Sequence, residues 1–202
     1  MAWGTTKGFN FRSTLAFVTD GTNEQAVLGE QYPQTTTIGG DSVVWGWDSN
    51  MELRNRNSTN DRRLAGNTFI AAGTVDAIFR VDLPATGEYK LRLSLGDATY
   101  SALQWCDVRD NTTVLYNVGG GTITTAANSF LDANAVERTA ANWPGSNTQK
   151  QSTFSSTILR VVVRAVASAV QGRITHLEIE QVIAAANPAY QPWYHRAPVL
   201  AQ

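Results

Sequence analysis

Cysteine is nearly absent: Cys106 is the one thiol in 202 residues. A single thiol excludes an intramolecular disulfide framework and a cysteine-built zinc site. Set in the alternating run ALQWCDV, it reads as a buried, inert side chain and not as a nucleophile. Histidine is almost as scarce. His176 lies in a strand-like pattern and His195 in a Pro-rich tail, so no paired-histidine metal motif exists. There is no Gly-x-Ser-x-Gly elbow and no Walker-type phosphate loop. The run VGGGTIT (118–124) is followed by no helical pattern and reads as a turn between strands. Asp97, Asp107 and Asp110 are the carboxylates a structural calcium would use, yet no D-x-D-x-D loop is present. The expectation is no catalytic residue, no metal and no cofactor.

An excess of basic charge is also missing. The 16 basic and 17 acidic residues give a net charge of −1, which removes the drive to bind nucleic acid or an anionic membrane. Only Lys7, Lys90 and Lys150 are lysines; the remaining basic residues are arginines, which favour fixed planar hydrogen bonding. Long apolar runs are lacking too. TILRVVVRAVASAV and LEIEQVIAAA are broken by charge or too short to cross a bilayer. MAWGTTKGFNFR has no apolar core of a secretory signal. Synthesis in a host cytoplasm is therefore expected, with lysis inside an assembled particle as one route out.

What is present is strand signal. KGFNFR and AIFRVDL alternate apolar and polar residues. GEYKLRLSLGD sets Tyr89, Leu91, Leu93 and Leu95 on one face and Lys90, Arg92 and Ser94 on the other, a half-buried antiparallel strand. LQWCDVRD and TTVLYNV meet at an Asp-Asn hairpin turn. STILRVVVRAV and RITHLEIEQV complete the set. The second places Ile174, His176, Glu178 and Glu180 on one face and Thr175, Leu177, Ile179 and Gln181 on the other. The Ala-rich TAANSFLDANAVERTAANW is the best candidate for a helical turn or two. Many short strands separated by Gly, Asn, Asp and Pro turns predict an all-β sandwich.

The ends differ from this body. The reading is an N-terminal extension at 1–6, with Trp3 exposed, a sandwich domain at 7–182, and an extended Pro-rich C-terminal arm at 183–202. Three of the six prolines fall in the arm, at 188, 192 and 198, and exclude a central strand. Its Tyr190, Trp193, Tyr194 and Val199 are too apolar for a solvated linker. An arm docking on a neighbouring subunit fits them, and so does a tail folded back on its own sandwich.

The segments GFNFR, WGWDS, RNRNSTNDRRLAG and FRVDLPATGEYKLRLSLGDA, in that order, resemble the galactose-binding-like jelly-roll modules joined to polysaccharide esterases and lyases. Such modules carry an opening phenylalanine strand, a Gly-Trp-Asp element, an Arg-rich loop and a strand ending in Gly-Asp. The resemblance covers about residues 7–110, and THLEIEQV (175–182) resembles the closing strand. The chain is also similar to unassigned stand-alone virion proteins of tailed phages. The resemblance implies a jelly-roll β-sandwich more firmly than it implies a ligand.

The stretch from Trp45 to Gly66 then has two readings. In one, Trp45 or Trp47 stacks on a sugar ring while Asp48 and Arg54 or Arg56 bind its hydroxyls. In the other, Trp47 is core, and Asp48, Asp61 and Asp97 pair with Arg54, Arg56, Arg62 and Arg63 to brace a long loop, which is the reading preferred. The main functional expectation is a non-enzymatic virion protein: a capsid cement or decoration subunit, or a tail-associated part, that staples neighbours through its arm. Its partners would be the major capsid protein or tail proteins, in a homo-oligomer, with a glycan as a possible ligand. The alternative is a carbohydrate-binding module for adhesion to a host surface or polysaccharide.

Overall fold

The computed structural model describes residues 2–13, 20–49, 51–56, 61–69, 76–143, 145–164 and 172–183. Among them the strands are β1 (Lys7–Phe11), β2 (Glu24–Val27), β3 (Gln34–Ile38), β4 (Asp41–Trp47), β5 (Glu52–Asn55), β6 (Gly66–Phe69) and β7 (Ala77–Asp82). They continue as β8 (Gly87–Asp97), β9 (Ala102–Asp110), β10 (Thr113–Thr125), β11 (Ser129–Leu131), β12 (Glu137–Thr139), β13 (Gln149–Phe154), β14 (Ile158–Val163) and β15 (Ile174–Gln181). Two 3-10 turns, Arg62–Leu64 and Ser146–Thr148, are the helical elements among the described residues.

One sheet runs β12-β11-β8-β15-β1-β2, with β13 also on β8; a second runs β10-β9-β14-β7-β4-β3; β5 and β6 pair as a separate two-stranded sheet. Setting aside the peripheral strands leaves β1-β15-β8-β13 opposite β7-β14-β9-β10. The chain crosses between sheets from β7 to β8, β8 to β9, β13 to β14 and β14 to β15. These interleaved Greek keys make a jelly-roll β-sandwich.

Period-two alternation decides what fills the space between the sheets. Tyr89, Leu91, Leu93 and Leu95 of β8 point inward, as expected from sequence, and meet Phe79, Val81, Leu159 and Val161 from the opposite sheet. Phe79 is the hub. Its ring centroid lies 5.2 Å from Phe9, 4.9 Å from Phe11, 6.0 Å from Trp45 and 5.1 Å from Trp47. Aromatic pairs at such spacing contribute about 0.5–1.5 kcal/mol each beyond the area they bury.

Four expectations are corrected here. Trp3 is not exposed: its ring is buried edge-on against Tyr89, and its backbone N–H donates to Gln181 Oε1 at 2.9 Å. Lys7 Nζ, 5.9 Å from that ring, donates to Thr5 Oγ1, the Ile38 carbonyl and Asp41, which ties the N-terminal segment down. The Ala-rich 125–143 run forms β11 and β12 instead of helix. The Asp132 carboxylate accepts from the N–H groups of Asn134 and Val136 and from Arg138, and such local bonds outcompete a helix. The glycine run at 118–124 lies inside β10, as an irregularity between Val118 and Ile123 and not as a turn between strands. A Cβ on Gly119, at φ +80°, would stand 2.3 Å from the Gln104 carbonyl oxygen, so the strand passes there only as glycine. Finally, a bulge between Ile174 and His176 turns Ile174 inward with Leu177 and Ile179, leaving His176 and Glu178 on the outer face.

That outer face is itself covered. Leu64, Ala98, Phe130 and Trp143 form a second, smaller core over β8 and β15, and Trp143 Nε1 donates to the Leu93 carbonyl at 2.8 Å. Part of this cap comes from the Arg-rich stretch through β5, β6 and the 3-10 turn between them. Gly66 permits the approach: a Cβ there would lie 2.4 Å from Arg12 Cβ and 2.5 Å from the Phe11 carbonyl oxygen.

Candidate functional site

The Trp45–Gly66 stretch scatters its side chains over both sheets. Trp45 and Trp47 sit at odd positions of β4 and are buried, so neither ring offers a face to a sugar. This corrects the stacking-platform reading, and strand alternation is the reason. Asp48 follows β4 and lies 3.5 Å from Arg160. Arg54 pairs in register with Asn67 of β6. Arg56 donates from Nε to both oxygens of Asp97 at 3.0 Å and lies over the Tyr100 ring. Asp48, Arg54 and Arg56 therefore do not converge with a tryptophan on one site.

Asp97 is fully buried and also takes Arg173 and the N–H groups of Thr99 and Tyr100. Burial works to raise its carboxyl, but these donors prevail and hold it below the usual carboxylate range. Asp61 caps the 3-10 turn, accepting from the Arg63 backbone N–H at 2.9 Å and pairing with the Arg63 guanidinium at 2.7 Å. Arg63 in turn lies over the Trp143 ring.

The other carboxylates weighed for calcium are held by protein donors. Asp110 accepts from the N–H groups of Ser155 and Ser156, and Asp107 accepts from Trp105 Nε1, Arg109 and Arg164. Among the described residues no group of three or more His, Cys, Asp or Glu could hold a metal ion. Burial pushes the Cys106 thiol far up. Tyr190, Trp193, Tyr194 and Val199 lie outside the described residues.

Among the described residues of the stretch, Arg62 reaches a surface cleft. It walls this cleft, of about 290 Å³, together with Gly8, Thr22, Asn23, Glu24 and Glu178. The cleft opens on the outer face of the first sheet, beside the cap, where β1, β2 and β15 lie side by side. Arg62 grips Glu24 with two bonds, Nε at 2.6 Å and an NH2 at 2.7 Å. Asn10 Nδ2 and the Gly21 N–H also donate to Glu24, at 3.0 and 3.1 Å. Burial opposes ionisation of Glu24, yet Arg62, Gly21 and Asn10 outweigh it and bring its carboxyl down to about 2.

Across the cleft, Glu178 Oε1 takes Arg92, with Gln149 Nε2 at 3.4 Å. Its Oε2 lies 4.0 Å from His176 Nε2, beyond hydrogen-bond range. Burial raises the Glu178 carboxyl; the Arg92 guanidinium, and His176 when it carries a charge, hold it below its ordinary value. His176 is fully buried beneath, with Nδ1 2.6 Å from Asn10 Oδ1 and its ring edge-on to Trp143. Gly8 leaves the floor open. A Cβ there would meet Glu24 Cγ at 2.9 Å and His176 Cε1 at 3.3 Å.

Sequence reasoning singled out Arg62, but only as a brace, and placed neither Glu24 nor Glu178 in a site. The available signal was the polar run His176, Glu178, Glu180 at alternate positions of a strand. What was missing was the register that sets Glu178 opposite Gly8 and Gly8 beside Glu24.

Fold and cleft define an all-β jelly-roll module with a polar surface cleft. No protein-family model matches the chain, and no curated protein matches it. Among solved structures it is similar to the YXIM protein of Bacillus subtilis, at 16% identity over 88% of this chain and 40% of that one, with a TM-score of 0.49. It is also similar to β-glucuronidase 2 of Bacteroides uniformis, at 11% identity over 89% of this chain and 18% of that one, with a TM-score of 0.47. A family 35 carbohydrate-binding module from Clostridium thermocellum is similar at 11% identity over 68% of this chain and 92% of the module, with a TM-score of 0.34. The chain thus spans well under half the length of the first two.

Proposed function

We propose that this chain is a non-catalytic carbohydrate-binding module whose ligand sits in the cleft between Arg62, Glu24 and Glu178. The observation that carries this is the cleft itself: about 290 Å³, near the lower end of the usual range for small-molecule sites, and walled by charged groups already fixed in place. Arg62 is held in place by its two bonds to Glu24 and its remaining N–H groups can donate to hydroxyl oxygens. Glu178 keeps one carboxylate oxygen free of a close hydrogen bond, ready to accept from a hydroxyl. The non-catalytic part of the reading is supported by the two carboxyls themselves. Both are held below their ordinary values, so neither carries the proton a glycosidic general acid must donate near neutral pH. The resemblance of residues 7–110 to galactose-binding-like modules points the same way.

The test is a glycan array probed with the wild-type chain and Arg62→Ala. Retention of a defined set of glycans, weakened at least tenfold in Arg62→Ala, supports the reading. A wild-type chain that retains no glycan sinks it.

A second reading is a virion subunit that staples capsid or tail proteins through residues 183–202. Its supporting observation is Ile183, an apolar side chain 62% exposed where the chain leaves β15. Removal of residues 187–202 then abolishes association with assembled particles, whereas unchanged incorporation rules the stapling out.

A further inference from the structure

We infer that Glu178 is the ligand-anchoring carboxylate of the cleft and that His176, buried beneath it, is its acid-operated competitor, so that ligand is released when His176 takes a proton. This inference rests on the carbohydrate-binding reading and adds a regulatory device to it.

The geometry begins with Asn10. Its Nδ2 donates to Asp20 Oδ1 at 2.6 Å and to Glu24 Oε2 at 3.0 Å, which fixes the amide and turns Oδ1 toward His176. At 2.6 Å from that oxygen, His176 Nδ1 must donate. A neutral ring therefore bears its hydrogen on Nδ1 and a lone pair on Nε2. That Nε2 is buried and has no hydrogen-bond partner. Glu178 Oε2 stands 4.0 Å away, so two acceptors face each other with no proton between them. The free oxygen of Glu178 is then available to a hydroxyl donor in the cleft it lines.

A proton on Nε2 reverses this. The imidazolium N–H needs an approach of about 1 Å to bond Oε2 at normal length. A charge-assisted bond of that kind engages the oxygen a ligand hydroxyl would use. Burial outweighs the carboxylates that face the ring and holds the imidazole below its ordinary value, so it takes a proton only in more acid solution than a free histidine does. Burial resists it, while Glu178 on the same strand and Glu24 on β2 attract it, and Arg63 of the 3-10 turn repels it. Asp61 partners Arg63, Arg62 partners Glu24, Arg92 of β8 partners Glu178, and Arg12, just after β1, partners Asp20. Among the described residues these nearby charges are paired, and the Nε2–Oε2 gap is the contact that protonation of His176 completes. Reciprocity follows: a ligand that needs neutral His176 must itself lower the pH at which the ring titrates.

The test uses the full chain carrying His195→Gln, which leaves one imidazole to observe. The His176 Cε1–H resonance is followed by NMR against pH, alone and with the best glycan from the array. Affinity for that glycan is measured one pH unit above and one below the observed midpoint. Expected are a fall of about fivefold or more in affinity below the midpoint and a lower midpoint with glycan bound. Glu178→Gln is expected to bind weakly at both pH values and to titrate His176 at lower pH, since an anion has been removed. Equal affinity on both sides of the midpoint, wild-type affinity in Glu178→Gln, or no titration of His176 in the folded chain overturns the inference. A blank array overturns the carbohydrate reading instead. The midpoint in Glu178→Gln then still decides whether the two residues are coupled, and an unchanged midpoint refutes the coupling.

Discussion

Replacing Glu24 by Gln removes one charge at the point where β2, the 3-10 turn and the cleft meet. In the folded chain the Glu24 carboxyl lies at about 2 against an ordinary value of 4.5. Converted at about 1.36 kcal/mol per pH unit, this difference corresponds to about 3 kcal/mol of stability at neutral pH. The partner Arg62 is 41% exposed, so solvent screening reduces the expected figure to roughly 1–2 kcal/mol. The sign follows from linkage. A depressed carboxyl contributes stability above its unfolded value, and that contribution is lost as pH falls from 4.5 toward 2. Gln does not titrate. Urea unfolding of both chains should therefore show Glu24→Gln less stable by roughly 1–2 kcal/mol at pH 7, with the gap narrowing by about 1 kcal/mol at pH 3.5. A gap of equal size at both pH values would show that Glu24 acts through its shape and hydrogen bonds and not through its charge, which refutes the electrostatic account of this corner.

Three further outcomes are expected. Trp47→Ala opens a cavity beside Phe11 and Phe79 and costs about 3–5 kcal/mol by urea or thermal unfolding; a folded, full-stability variant would contradict its place in the core. Asp97→Asn strands Arg56 and Arg173 around a neutral amide and costs about 3–5 kcal/mol by the same assay, with near-wild-type stability the contrary result. Gly8→Ala inserts a methyl group into the cleft floor; glycan retention should be lost, with a stability cost of about 1–3 kcal/mol from crowding Glu24 and His176. Undiminished retention in that variant would move the ligand elsewhere.

Much of the jelly roll was legible because alternation is a strong signal where one face is buried. β8 was readable residue by residue from GEYKLRLSLGD. Where alternation breaks, the signal fails for identifiable reasons. The bulge beside Thr175 shifts Ile174 to the face opposite the one its spacing implies. The glycines of β10 look like a turn because their freedom serves a close pass over Gln104 instead of a reversal. The Ala-rich segment resembles helix because the Asp132 bonds that shape it are local and leave no periodic trace. The cleft was least legible of all. Glu24, Arg62 and Glu178 lie far apart in the chain; the pairing of β1 with both β2 and β15 brings the two glutamates together, and the 3-10 turn delivers Arg62 to Glu24. Trp45 and Trp47 drew attention for the opposite reason: aromatic content suggests a ligand platform, whereas position along β4 dictates burial.

The cap of Leu64, Ala98, Phe130 and Trp143 has a consequence for motion. It gives the middle of β8 and β15 apolar cover on both sides. Local opening follows the apolar area that must be exposed, and the cap holds far less of it than the sandwich. Native-state hydrogen exchange should resolve two cooperative units: a cap that opens at low free energy, and β8 with β15 exchanging only on global unfolding. His176 lies at the boundary between those units, edge-on to Trp143, so a brief opening of the cap is also how solvent protons would reach it.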